Sequence, residues 1–243
     1  DYITVHKYNS MKLIGFSLQN IFFKYPYEIL KYLFTKTGLF TSTIAEAGAF
    51  VKTNDDLEIP NIQFHYAPAM IVDHGRTPLW GTGMSCHSCL LRPKSRGEVT
   101  LASADPFADP LIDPKFLSHP DDMKDMVEGY KIMMKVLSTE PFSKYISDHT
   151  RRPIDINDDA DIEQAMREGA DTVYHPVGTC KMGNDEMSVV DSRLKVRKIQ
   201  GLRVVDASIM PTIVGGNTNA PTIMIGEKAS DMILEDWNML TSP

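Results

Sequence analysis

The chain has 243 residues, 42% of them hydrophobic and 23% charged, with a formal net charge of −7 at pH 7. That length and hydrophobic content can bury the core of one large domain or two modest ones, and they exclude a disordered chain. The acidic balance excludes a basic nucleic-acid binder, which needs clustered Lys and Arg, and no apolar stretch approaches the roughly 20 residues of a membrane-spanning helix.

In chain order, the start at Asp1 lacks the basic, apolar and small-residue series of a signal peptide, and no Asn-x-Ser/Thr sequon occurs. Residues 11–40 are rich in Phe, Tyr, Leu and Ile, with Lys24, Lys31 and Lys36 at near-helical intervals. Pro26 suits an early helical position ahead of residues 27–34, and Gly38 suits the stop. An aromatic stripe of this kind reads as core or, beside a cleft, as the lining of a substrate entrance. Residues 45–53 and 62–68 read as strands, parted by the turn chemistry of Asn54-Asp55-Asp56 and Pro60-Asn61. The second alternates its side chains, so one face is expected to be covered and His65 to be a hydrogen-bonded sheet residue. Gly75, Pro78, Gly81 and Gly83 make residues 73–83 a loop.

Strands are expected again at residues 85–91 and 98–101, joined by a basic, solvated turn at residues 92–97. Asp105-Pro106, Asp109-Pro110 and Asp113-Pro114 keep the next segment extended or turning, because proline disfavours helix at the residue before it, and an ordered irregular loop is expected. His119-Pro120 opens the clearest helix, in which Met123, Met126, Val127, Tyr130, Met133, Met134 and Leu137 recur at three- and four-residue intervals. Residues 158–168 form a second helix ending at Gly169. The β-branched segments 189–191, 194–197 and 201–206 read as short strands. A final helix spans residues 220–237, with Ile225, Ala229, Met232 and Ile233 on one face.

Three cysteines are too few for a disulfide scaffold. Cys86-His87-Ser88-Cys89 has redox or half-zinc spacing, but a zinc site needs four ligands and no second pair exists. Two partly buried thiols or one local disulfide remain, and no metal site is expected.

Two stretches carry the candidate chemistry. In Tyr174-His175-Pro176-Val177-Gly178-Thr179-Cys180-Lys181-Met182-Gly183 an imidazole sits in a Gly/Pro frame, and in Gly215-Gly216-Asn217-Thr218-Asn219-Ala220-Pro221-Thr222 an amide does. Such frames hold a side chain at fixed geometry. Imidazole exchanges protons near physiological pH, so the residues alone make His175 a candidate acid–base group.

The same residues carry a resemblance. The His175 stretch, then Val190-Asp191, then Gly201-Leu202-Arg203-Val204-Val205-Asp206-Ala207-Ser208-Ile209-Met210-Pro211, then Gly216-Asn217-Thr218-Asn219-Ala220-Pro221 through Ala229 resemble, in order, the C-terminal part of the glucose-methanol-choline (GMC) flavin oxidoreductases. Leu91-Arg92-Pro93-Lys94-Ser95-Arg96-Gly97 and the Asp-Pro series also look like that family, so the resemblance covers about residues 45–237; its wording is nearest to the insect glucose-dehydrogenase-like branch. It implies an α+β fold: an antiparallel sheet backed by helices as substrate domain over residues 1–184, then the closing strand–helix segment of an FAD-binding Rossmann-like domain over residues 185–243. It implies FAD as cofactor, an alcohol or sugar as substrate, and oxygen or quinone as electron acceptor.

By the resemblance His175 is the base that takes the hydroxyl proton while hydride passes to flavin N5. Asn217 is its partner, since it lies 11 residues before Lys228, the spacing of the second catalytic position in relatives that carry His there. Asp206, Ala207, Thr218, Asn219 and Pro221 become the FAD contacts, although Asp206 also reads as a plain turn cap. No Gly-x-Gly-x-x-Gly follows a strand in these residues, so the loop that cradles the FAD pyrophosphate has no counterpart. The chain is therefore expected to be the C-terminal part of a longer enzyme, silent by itself. Two other classes remain open: a non-catalytic binding module derived from the family, and a metal-binding or thiol-redox protein using Cys86 and Cys89.

Overall fold

The computed structural model describes residues 1–8, 15–17, 20–77, 79–149 and 154–241. The opening of the aromatic stretch at residues 11–14 and Pro78 of the expected loop lie outside the described residues. The strands are β1 (Tyr2–Tyr8), β2 (Ala47–Val51), β3 (Ile62–Ala67), β4 (Gly83–Leu90), β5 (Glu98–Thr100), β6 (Leu111–Asp113) and β7 (Ile146–His149). The helices are α1 (Asn20–Phe23), α2 (Tyr25–Thr35), α3 (Pro120–Leu137), α4 (Asp159–Gly169) and α5 (Asn219–Thr241). The chain divides into two compact units, Asp1–Leu90 with His119–Asp171, and Leu91–Ser118 with Thr172–Pro243.

The first unit is an antiparallel sheet of order β2-β3-β4-β1-β7, backed by α3 and α4. Side chains alternate across a strand, so Tyr2, Ile62, Phe64 and Cys86 share one covered face. The buried stripe of α3, Met123, Met126, Val127, Tyr130, Met133 and Leu137, packs there, with the Tyr2 and Tyr130 rings edge to face at 5.9 Å. The helix starts where its sequence says it should. His119 Nδ1 accepts from the Asp121 N–H at 3.2 Å, Pro120 opens the first turn, and Asp121 and Asp122 lie at the positive end of the dipole. In α4, Asp158 caps Ala160 N–H at 3.0 Å and Ile162, Ala165 and Met166 are buried.

Several expectations are corrected. Central β1 and edge β7 were not read as strands, although Tyr2–Tyr8 supplies the β-branched and aromatic residues that a strand favours. Leu111–Asp113 is a strand paired with β5, not loop; Pro110 and Pro114 flank it and hold the residues before them extended. In the second unit, residues 189–191, 194–197 and 201–206 form isolated bridges, Met182 with Val190, Val190 with Val196 and Lys195 with Arg203, and no continuous ladder. Turns interrupt them before pairing can propagate: Leu194 and Lys198 both take positive φ. Of the aromatic stretch, Phe22, Tyr27 and Phe34 face outward, while Tyr25 packs on Phe16 and Phe40.

Met133 is fully buried against the sheet. Met133→Ala should lower unfolding free energy by about 2–5 kcal/mol, read from the urea midpoint at unchanged m-value.

Candidate functional site

The second unit is organised on a small core of Val190, Leu194, Ile209, Met210, Ile225 and Ala229. Around it the His175 turn is tied down by its backbone. Cys180 N–H donates to the Ser208 carbonyl at 3.0 Å and Met182 N–H to the Ile209 carbonyl at 2.7 Å. Tyr174, immediately before His175, takes φ 66°, an uncommon conformation for a bulky residue. Its N–H donates to Thr172 Oγ1 at 3.0 Å. Gly178 then turns the chain back with φ 88°, where a side chain would be strained.

The opposing turn precedes α5. Thr218 is buried, and its carbonyl accepts from the Thr222 N–H at 3.0 Å and the Thr222 hydroxyl at 2.7 Å. Its own hydroxyl lies 2.8 Å from His175 Nδ1, while Asn217 Nδ2 lies 2.9 Å from His175 Nε2. One imidazole is thus held at both nitrogens by consecutive residues of the second turn. An amide nitrogen only donates. With Asn217 assigned that way round, Nε2 is the acceptor, and Nδ1 carries the proton and donates it to Thr218. Nε2 is then the basic atom, and the more exposed partner, Asn217, guards it. Just upstream, a Cβ at Gly215 would come within 2.1 Å of an Arg92 guanidinium nitrogen. Only glycine lets that guanidinium lie so close, and Arg92, Lys94 and Arg96 are exposed, as the solvated basic turn requires.

The other sequence candidates take definite places. Asp206 is exposed and its carboxylate accepts from the Ser208 N–H at 2.8 Å, capping the single turn Ala207–Ile209. Ala207 packs on the core. Asn219 is exposed at the first turn of α5, with Pro221 half-buried behind it.

Sequence reasoning missed the clamp on the far end of α5. Asp236 receives Lys195 at 2.5 Å and Arg193 at 2.8 Å, together with Arg203; Arg193 also donates to the Met232 carbonyl at 3.0 Å and to Glu235 at 3.1 Å. The alternating cations of residues 193–203 were the available signal. Lys195 first, then Arg203 and the charge of Arg193, hold the Asp236 carboxyl down at about 2.

Cys86 and Cys89 are free thiols. Three residues apart on β4, they point to opposite faces of the sheet, so they form neither a disulfide nor half of a zinc site. Burial pushes Cys86 up to about 12 and Cys89 to about 11, which makes both thiols inert near neutrality. His65 sits where the strand reading put it, its Nδ1 3.7 Å from Cys89 Sγ.

Three comparisons bear on this site. The GMC oxidoreductase family model matches residues 93–226. An alcohol dehydrogenase [acceptor] of Pseudomonas putida is 46% identical over 211 residues, covering 87% of this chain and 38% of that protein. An oxygen-dependent choline dehydrogenase of Klebsiella pneumoniae is 41% identical over 203 residues, covering 84% and 37%. A formate oxidase of Aspergillus oryzae, a protein in which FAD is modified, shares the fold at TM-score 0.83 and 24% identity, over 97% of this chain and 46% of that one. The chain thus spans less than half the length of each.

Asp236 loses its charge only at strongly acid pH in the folded state, against an ordinary value of 3.8. Its contribution to stability is complete above that ordinary value and disappears as pH falls through about 2. Asp236→Asn should therefore lower Tm by a few degrees at neutral pH, and melts repeated in acid should show the gap from wild type closing between these two values.

Proposed function

The chain belongs to the GMC oxidoreductases, a family of FAD flavoproteins, and from that premise we propose that it is the C-terminal part of an FAD-dependent enzyme that oxidises a CH–OH group of an alcohol or sugar, with His175 as its base. The observation that carries the reading is the double hold on one imidazole, Thr218 at Nδ1 and Asn217 at Nε2. That arrangement holds the ring orientation and, with the Asn217 amide nitrogen toward Nε2, puts the lone pair on the atom nearest the exposed side.

In the reaction we propose, the substrate hydroxyl takes the place of the Asn217 amide at Nε2 and gives its proton to that nitrogen. Asn217, no base itself, donates to the oxygen as negative charge builds on it. Thr218 accepts from Nδ1–H and stabilises the ring as it becomes doubly protonated. FAD, when bound, supplies the acceptor for the hydride that leaves the same carbon.

The residues present fit one end of that cofactor. Exposed Asn219 and the N–H groups at the start of α5 form a donor set suited to the carbonyl oxygens of a flavin ring. Asp206 and Ala207 are assigned to the cofactor with them, as are Thr218 and Pro221. The Gly-x-Gly-x-x-Gly loop that would cradle the pyrophosphate does not occur in the sequence. Within the proposal, residues 185–243 close the FAD domain and residues 1–184 belong to the substrate domain. The P. putida and K. pneumoniae relatives support oxidation of alcohols and choline-like substrates; for the insect branch only the sequence wording speaks. Oxygen and quinone both remain acceptors within the reading.

The test is the full-length protein with His175→Ala. We expect kcat/KM for alcohol oxidation to drop about 10²–10⁴-fold at unchanged flavin content. A change within twofold would instead favour a non-catalytic module. The 243-residue chain alone should neither oxidise alcohols nor carry stoichiometric flavin absorbance, and either finding would contradict the assignment as a partial chain.

A further inference from the structure

We propose that the outward face of α2 seats the protein on an anionic lipid surface. At 100° per residue, Tyr27, Ile29, Leu30, Leu33 and Phe34 fall on one continuous arc of roughly 160°. That arc is turned to solvent: Phe34 is 85% exposed, Tyr27 64%, Leu33 56% and Leu30 55%. Phe22 of the adjoining α1 is 77% exposed.

The inward side is tied to the turn that follows the helix. Tyr25 packs edge to face on Phe40 at 5.6 Å, and the carboxylate of buried Glu28 accepts from the Leu39 N–H at 2.8 Å. An ordinary surface helix buries its apolar stripe and shows its charges to water. Here the acid points in and the hydrocarbon points out, the arrangement of an interaction face.

The charges around the face identify what it meets. Lys24 is the residue before the helix, Lys31 lies on it and Lys36 closes it. Across residues 20–45 the only acid is Glu28, which is turned inward. In a chain of net charge −7, half-exposed Lys24 and Lys31 and exposed Lys36, its ammonium 5.1 Å from the Tyr32 ring centre, thus border an apolar patch. Acidic phospholipid matches both parts: Phe and Leu enter the acyl boundary while the lysine stems let their ammonium groups reach the headgroups. At 11 residues α2 is about 16 Å long, and among the described residues no helix is long and apolar enough to cross a membrane. It lies in the plane of the interface. A second copy is a poorer fit, because a two-fold face-to-face pairing sets lysines against lysines.

The proposal rests on the reading as part of a longer protein, since the face must stay open beside the remaining chain, and its test on full-length protein has no catalytic readout. Full-length protein is floated with phosphatidylcholine vesicles, with and without about one third phosphatidylglycerol, while its oligomeric state is followed by sedimentation. We expect binding to the anionic vesicles, weakened by high salt, and little binding to phosphatidylcholine alone. Lys31→Gln and Lys36→Gln should each reduce partitioning roughly fivefold, and the double variant Leu30→Glu/Phe34→Glu should abolish it. These side chains are exposed, so an unchanged thermal melt shows the fold intact. A double variant that still floats would overturn the proposal. So would a protein that never binds anionic vesicles, whether it forms a dimer lost in the double variant, which assigns the face to a second copy, or stays monomeric, which assigns it to the protein's own remaining chain.

Discussion

Thr218 is the residue on which the second unit's geometry turns. Its carbonyl accepts the first backbone bond of α5, and its hydroxyl faces His175 Nδ1. One buried residue therefore fixes, by its carbonyl, the origin of the last helix and, by its hydroxyl, the rotation of the imidazole. A typical hydrogen bond contributes only about 0.5–1.5 kcal/mol net. The constraint gains strength because both ends are anchored: the His175 turn by backbone bonds to Ser208 and Ile209, and α5 by the cations on Asp236. Loosening either anchor shifts one partner of a short contact.

That dependence explains why the unit tolerates so little regular structure. Between residues 182 and 206 the chain makes single bridges and turns, and positive φ at Leu194, Lys198 and Gly201 replaces extended backbone. Val190 and Leu194 are buried, yet their neighbours Arg193, Lys195 and Arg203 are turned toward α5. β-branched residues signal a half-buried, pleated surface; here that surface is used for turns that direct cations at one carboxylate. Composition alone does not separate the two uses, so the short strands expected there do not form.

Where a pattern is long, it is legible. The stripe of α3 extends from Met123 to Leu137 with caps and first-turn acids in agreement, and the helix appears where those signals place it. The site is legible for a different reason: His175 and Asn217 stand in Gly/Pro-framed turns whose order resembles a known family, and the structure brings their side chains to 2.9 Å although 42 residues separate them. The rest depends on partners distant in sequence. β1 finds β4 some eighty residues on, and Arg92 finds Gly215 at still greater separation; no local window contains either relation. The opposite orientation of Cys86 and Cys89 is read at once from a strand, but only after residues 83–90 are known to be one.

The hardest case is α2, since its periodicity is correct and its meaning is reversed. Tyr27, Leu30, Leu33 and Phe34 give the same three- and four-residue intervals as the buried stripe of α3, and a hydrophobic period says only that one face differs from the other. Which face is covered follows from where the single acid goes. Glu28 is drawn inward by the Leu39 N–H, which fixes the rotation of the helix about its axis. Once the rotation is set, Tyr25 packs inward on Phe40 while Tyr27, Leu30, Leu33 and Phe34 are left outside. The same helical period can thus carry opposite burial in two helices of one chain. In α2 the Glu28 bond leaves hydrocarbon and lysine together at the surface.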